Sequence, residues 1–260
     1  MTKAREWLRE KSIVKQILSE ANIIFNVLDG RIPFETRNKF IEDTVKKQNK
    51  KLYFIVNKVD LIPKDFAEKV KKELSKEFPT ILYSASKKIG ERKLNRLLKN
   101  FSKERKIFKI GIVGYPNVGK SSLINSLKKR KVSTVSPKPG MTRGKQLVKM
   151  YPNVFLIDTP GIITLETDED LILKGSYLPE KLEYPVEATI KFLDKILNVK
   201  PDVLETTYGI DTKDKDSYQV LNDIGDKLNY KLAGGEIDLD RTAKKILWDW
   251  LKGKLNPYWI

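Results

Sequence analysis

The sequence predicts an α/β domain built on a doubly wound, mostly parallel sheet, followed by a small all-α domain. Three observations carry that reading. Short apolar runs alternate with amphipathic segments of helical period along the first part of the chain. One of those runs, 107–113, leads into a glycine-bounded loop and then a helical pattern. Charge also changes near residue 168. Residues 1–168 hold 37 Lys and Arg against 17 Asp and Glu, a net of +20, whereas 169–260 hold 14 against 17, a net of −3. The expected domains are therefore 1–168 and 169–260.

The elements follow in order. Residues 4–20 read as an amphipathic helix with Trp7, Leu8, Val14, Ile17 and Leu18 on its apolar face. A buried strand at 23–28 leads into the turn Asp29-Gly30-Arg31-Ile32-Pro33, and 36–47 reads as helix. The second apolar strand, 52–56, ends in Asn57-Lys58-Val59-Asp60. Pro63 suits a helix start, and Phe66, Val70 and Leu74 recur every four residues behind it. A third strand at 80–83 ends in Ser84-Ala85-Ser86. A very basic helix follows, with Leu94, Leu97, Leu98 and Phe101 facing inward. Beyond the glycine loop, 122–129 is helical, and strands at 146–150 and 154–157 end in Asp158-Thr159-Pro160-Gly161. In the second domain, 185–198 and 240–251 have helical spacing, with Gly253 as a C-cap. Trp248, Trp250, Tyr258 and Trp259 there suit a core, or a stacking platform for RNA bases.

Composition excludes several chemistries. Cysteine and histidine are absent, so disulfides, thiolate or imidazole metal sites and His-dependent triads are ruled out. No apolar run is long enough to span a bilayer, and the charged stretch 1–10 is unlike a signal or transit peptide. A cytoplasmic protein with no membrane partner and no stable oligomer is expected. The basic excess suits a polyanionic partner, nucleic acid before membrane; a solvated lysine-rich surface reads the same way at this level.

Gly114, Gly119, Lys120 and Ser121 fit the pattern G-x-x-x-x-G-K-[ST] between strand and helix. In such a loop, successive backbone N–H groups wrap a phosphate. Lys120 reaches the β and γ phosphates, Ser121 offers its hydroxyl to Mg²⁺, and Val118, Gly119 and Ser122 complete the nucleotide contacts. Asp60, at the end of a strand, can accept two hydrogen bonds from the N1–H and N2–H₂ edge of guanine, an edge that adenine lacks. Asn57 and the Lys58 stem buttress the base and the loop, and the backbone of Ser84, Ala85 and Ser86 can meet the guanine O6. Thr142 is read as the switch threonine closing over Mg²⁺ and the γ-phosphate. Asp158 suits a water-mediated Mg²⁺ contact, the Gly161 N–H suits the γ-phosphate, and Pro160 is counted with the nucleotide-binding residues. Lys120, Thr142 and Gly161 are the candidate catalytic residues. Together these point to GTP and GDP as ligands.

The order of the motifs is unusual. N-K-V-D (57–60) and S-A-S (84–86) precede the phosphate loop (114–121), Thr142 and D-T-P-G (158–161). This resembles the circularly permuted GTPases, the YlqF-related ribosome-assembly group. Residues 29–33 resemble that group's D-A-R-x-P, and Pro139-Gly140-Met141-Thr142-Arg143 its P-G-x-T. Gly234–Asp238, Arg241–Ala243 and 246–253 resemble the end of its helical domain. The resemblance implies a permuted P-loop GTPase fold, hydrolysis of GTP to GDP and phosphate, and a client in ribosomal RNA of the large subunit. It also implies that Asn117 holds K⁺ beside the phosphates, although loop packing alone could explain that residue. Ile162 stands where Ras-like enzymes place a water-orienting Gln, so slow intrinsic hydrolysis is expected. The helical domain follows directly after the γ-phosphate switch, so nucleotide state can bias its pose. A rival reading is a regulatory GTP-binding module with a protein partner and no RNA.

Overall fold

A computed structural model describes residues 3–104, 106–128, 146–158 and 168–260. The chain divides into two compact units, residues 1–165 with Ile260, and residues 166–259.

Among the described residues of the first unit, six strands form one sheet in the order β3-β2-β1-β4-β6-β5. The strands are β1 (Ile23–Asp29), β2 (Lys51–Asn57), β3 (Thr80–Leu82), β4 (Phe108–Val113), β5 (Gln146–Tyr151) and β6 (Val154–Asp158). β1, β2, β3, β4 and β6 run parallel, and β5 is antiparallel at the edge. The cause is local: β5 and β6 are joined by Pro152 and Asn153 alone, and so short a link can only reverse the chain. β1 is buried along its whole length, as a strand covered on both faces should be, with Asn26 the one polar residue inside its apolar run. Helices α2 (Lys39–Lys47), α3 (Lys64–Leu74) and α4 (Glu91–Ser102) make the crossovers between successive parallel strands, while α1 (Lys3–Glu20) precedes β1 and α5 (Lys120–Lys128) follows β4.

Several boundaries differ from the sequence reading. Helix α2 begins at Lys39 rather than 36, because Thr36 belongs to the preceding turn. Its hydroxyl accepts from the Asp29 N–H at 3.1 Å and lies 3.1 Å from the Ile32 carbonyl, leaving Asn38 to cap the helix through the Ile41 N–H. The basic helix α4 begins at Glu91, after Lys87 and Lys88, and Leu97 is only half-buried beside buried Leu94, Leu98 and Phe101. Helix α5 starts at Lys120, directly on the glycine loop, and Ile107 is exposed outside β4.

The second unit is helical: α6 (Asp168–Leu173), α7 (Pro185–Val199), α8 (Asp202–Tyr208), α9 (Ser217–Lys227) and α10 (Leu239–Lys252). α7, α9 and α10 pack on one another through Phe192, Ile196, Leu221, Ile224, Ile246 and Trp250. An Asp216–Gln219 capping box starts α9, and Gly253, at φ +70°, ends α10. Trp250 packs between Phe192 and Trp259, so these tryptophans belong to the core, while Trp248 and Tyr258 are half-exposed. Among the described residues, no helix is long and apolar enough to cross a membrane.

Candidate functional site

Parallel strands deliver their C-terminal ends to one edge of the sheet, where ligands sit in such folds. Here that edge collects the turn after β1 (29–31), the segment after β2 (57–60), the segment after β3 (83–86) and the glycine loop after β4 (114–119). These stretches are scattered over about ninety residues of sequence, and the sheet brings them together.

The glycine loop is shaped around its lysine. The Lys120 ammonium is buried and donates to the Gly114 carbonyl at 2.9 Å and the Tyr115 carbonyl at 2.6 Å. Gly119 takes φ +99°, and a Cβ there would stand 2.1 Å from the Asn57 amide nitrogen. Glycine is therefore required by both conformation and space. Asn117 adopts a left-handed conformation (φ +58°) on the exposed rim of the loop. Val118 is buried beneath it, and Ser121 and Ser122 are exposed at the N-terminus of α5. A concave loop with an inward ammonium and a helix N-terminus fits a phosphate chain.

Asn57 ties this loop to the others. Its Nδ2 donates to the Val118 carbonyl at 2.9 Å, and its Oδ1 accepts from the Ala85 N–H at 3.3 Å. The Val59 N–H donates to the Tyr83 carbonyl at 3.3 Å. Ser86 Oγ donates to Asp60 Oδ2 at 2.9 Å, and the Ser84 and Ser86 hydroxyls lie 3.0 Å apart. Tyr83, fully buried, shares a hydrogen bond with Ser126 on α5. Between the 84–86 segment and α5 lies a cleft of 590 Å³, lined by Ala85, Ser86, Glu91, Ser122 and Asn125 among others. Its walls come from the segment expected to meet the base and from the helix that follows the phosphate loop.

Beneath the 57–60 segment sits a buried charge cluster. Arg31 grips Asp29 with Nε and Nη2 at 3.0 and 2.8 Å, and the Lys58 ammonium reaches Asp29 Oδ2 at 2.7 Å. Burial alone would raise the Asp29 carboxyl, but the Arg31 and Lys58 charges outweigh it and hold the group well below the usual carboxylate range. Burial pulls the Lys58 ammonium below the ordinary lysine value despite the pull of Asp29.

Two family profiles match the chain: one described as RsgA GTPase over residues 3–168, the other as 50S ribosome-binding GTPase over 109–230. The structure of GNP-bound YlqF from T. maritima superposes with a TM-score of 0.65 at 25% identity, covering 96% of each chain. Its GDP-bound form gives 0.65 at 26%, covering 94% of this chain and 95% of that one. The chain belongs to the circularly permuted GTPases. Among sequence relatives, a GTP-binding protein of Methanocaldococcus jannaschii is 40% identical over 95% of this chain and 66% of its own length. Nucleolar GTP-binding protein 2 of Saccharomyces cerevisiae is 37% identical over 94% of this chain and 51% of its own length. The chain thus spans between half and two thirds of these two relatives.

For this permuted GTPase, Asn57, Lys58, Asp60, Ser84, Ala85, Ser86, Asn117, Val118, Gly119, Lys120, Ser121 and Ser122 all lie on the four converging segments or at the start of α5. Thr142, Pro160, Gly161 and Ile162 lie outside the described residues. Asp158 ends β6, and the position of its carboxylate lies outside the description as well. Sequence reasoning did not foresee Glu91, Asn125 and Ser126 on the cleft and its rim, nor the Lys58–Asp29 pair. The first three carry no motif; the pair depends on strand register, which places Asp29 opposite Asn57.

Proposed function

We propose that the chain hydrolyses GTP to GDP and phosphate and acts as a nucleotide-gated assembly factor that binds ribosomal RNA of the large subunit. The observation that carries the nucleotide reading is the Asn57 side chain, which bonds the phosphate loop on one side and the 84–86 segment on the other. A ligand with a base and a phosphate chain matches those two loops, and Asp60 supplies an acceptor for guanine. Residues 1–168 form the G domain and 169–260 the helical domain of this reading. Lys120 binds the β and γ phosphates, exchanging its two loop carbonyls for phosphate oxygens. Ser121 and Thr142 would hold Mg²⁺ directly and Asp158 through water; the ion neutralises phosphate charge when bound. Thr142 and Gly161 hold the γ-phosphate, with Pro160 shaping the approach of the Gly161 N–H. Asn117, at the loop rim, would hold K⁺, supplying charge that an arginine finger supplies elsewhere. With Ile162 in place of a water-orienting side chain, intrinsic hydrolysis is slow.

The ribosomal client is supported by the company the sequence keeps, a profile described as 50S ribosome-binding GTPase and relatives named for the nucleolus. It is also supported by charge. The net of +20 lies in residues 1–168, and Lys87, Lys88, Arg92, Lys93 and Arg96 are all exposed beside the base loop. The place of work would be the cytoplasm. Co-sedimentation with purified large subunits tests the reading: binding with a non-hydrolysable GTP analogue and release with GDP are expected. Affinity should also fall with salt. Arg92→Glu/Arg96→Glu should flatten the log–log slope by roughly 0.7–0.9 for each RNA phosphate it no longer neutralises. Absence of binding in every nucleotide state would favour a regulatory module with a protein partner.

A further inference from the structure

Asp29 and Arg31 lie at the nucleotide edge of the sheet, yet the chemistry above uses neither. Their arrangement is specific. The Arg31 backbone N–H and Nε both donate to Asp29 Oδ1, at 3.1 and 3.0 Å, and Nη2 donates to Oδ2 at 2.8 Å. Asp29 is 2% exposed and Arg31 is fully buried. A carboxylate gripped on both oxygens has one fixed orientation. Its Oδ2 then receives the Lys58 ammonium, the outermost of the three charges.

Lys58 has reason to need holding. It follows Asn57 and takes φ +62°, a left-handed backbone that a side-chain-bearing residue adopts only under constraint. The 29–31 turn constrains it at both ends. Asp29 takes the ammonium, and the Gly30 N–H donates at 2.7 Å to the Asn57 carbonyl, on the peptide that enters Lys58. A Cβ at Gly30 would come within 2.8 Å of that same oxygen, so in this chain the two backbones approach more closely than a side chain there would allow without a shift. Asp60 lies two residues further on, in the short 3-10 turn Val59–Leu61 that Lys58 begins.

We propose that the Asp29-Gly30-Arg31 turn is the mould for the guanine-recognition loop. Asp29, locked by Arg31, is a positioning residue that fixes Lys58 and, through its strained backbone, the angle at which Asp60 meets the base. This rests on the guanine reading made under Proposed function. Arg31 alone already neutralises Asp29, so the Lys58 contact adds position rather than charge balance. Because Arg31 and Asp29 are inside the sheet edge, neither touches the nucleotide; the effect passes through Lys58.

Calorimetric titration of the full chain with GDP, inosine diphosphate and ADP tests it. Inosine lacks the 2-amino group, so the GDP-to-IDP affinity ratio reports how well Asp60 is aimed. Wild type binding ADP as tightly as GDP would remove the guanine reading itself, and the mould with it. Given guanine selectivity in the wild type, Asp29→Asn should weaken GDP roughly tenfold and narrow the GDP-to-IDP ratio. In a Lys58→Met background, which keeps the stem, the same substitution should change GDP affinity less than about twofold, since coupled residues are not additive. Full loss in that background, or no loss in Asp29→Asn alone, overturns the proposal. Should Asp29→Asn fail to fold because the carboxylate buried against Arg31 is lost, Asp29→Asn/Arg31→Gln replaces it. The same narrowing is expected there, and an unchanged ratio overturns the proposal.

Discussion

Asn57 and Val118 are 61 residues apart in sequence and joined by a buried 2.9 Å hydrogen bond from the Asn57 amide to the Val118 carbonyl. The same side chain accepts from the Ala85 N–H, so one residue spans three loops. Truncation leaves two backbone groups without their partner, at a cost of about 1–3 kcal/mol for a buried polar group. Asn57→Ala should lower the urea midpoint accordingly and weaken GDP binding. A variant with wild-type GDP affinity would show that the bridge serves folding alone.

Asp60 is placed by its own neighbours, with Ser86 Oγ donating to Oδ2 at 2.9 Å. Replacing the carboxylate by an amide turns an acceptor into a donor. Asp60→Asn should therefore bind GTP more weakly and gain xanthosine triphosphate, whose 2-oxo group accepts where guanine donates. Competition titration with the two nucleotides reads the exchange directly.

The Asp29 carboxyl has a folded value well below its ordinary one, through Arg31 and Lys58 acting against burial. A depressed carboxylate contributes stability that is fully present above its unfolded value, about 3.9, and is lost as pH falls towards the folded value. Urea unfolding should show stability dropping between pH 5 and lower pH. Asp29→Asn, with nothing to protonate there, should be less stable at pH 7 and show a smaller drop on acidification. Parallel curves for the two proteins would contradict the assignment.

Asn117 sits on the exposed rim of the phosphate loop in a left-handed conformation. If it holds K⁺ there, exchanging KCl for NaCl should slow GTP hydrolysis on the order of tenfold, the scale of losing one fixed charge at the reacting phosphates. In Asn117→Ala the two salts should give the same, slower rate. Phosphate release assays in matched ionic strength check both.

Much of this architecture was legible because parallel sheets advertise themselves. β1, β2 and β4 read as predominantly apolar runs, interrupted only by Asn26 in β1 and Lys109 in β4 between their ends, and each leads into a motif where the strand stops. What escaped was decided by contacts between elements. Thr36 looked like part of a helix until its hydroxyl was seen to close the turn after β1. The reversal of β5 follows from a link too short for a crossover, a matter of length more than of residue type. The D-G-R turn was visible as a motif, yet its pairing with Lys58 needed the register that sets Asp29 against Asn57. Tyr83 and Ser126 carry no pattern at all; their contact exists only because α5 crosses behind the 83–86 segment.

The sheet order has a consequence for how the molecule is made. Among the described residues, its three earlier strands lie together on one side and its three later ones on the other, paired where β1 runs beside β4, from Ile23–Ile110 to Asn26–Val113. The chain passes from one leaf to the other once, by way of α4. Under the proposed reading, the base is held by the early leaf and the phosphates by the late one. A guanine nucleotide is then a clasp fastened across a hinge line. A chain that held only the earlier strands would lack the phosphate half of that site, so under this reading tight nucleotide binding marks a finished domain.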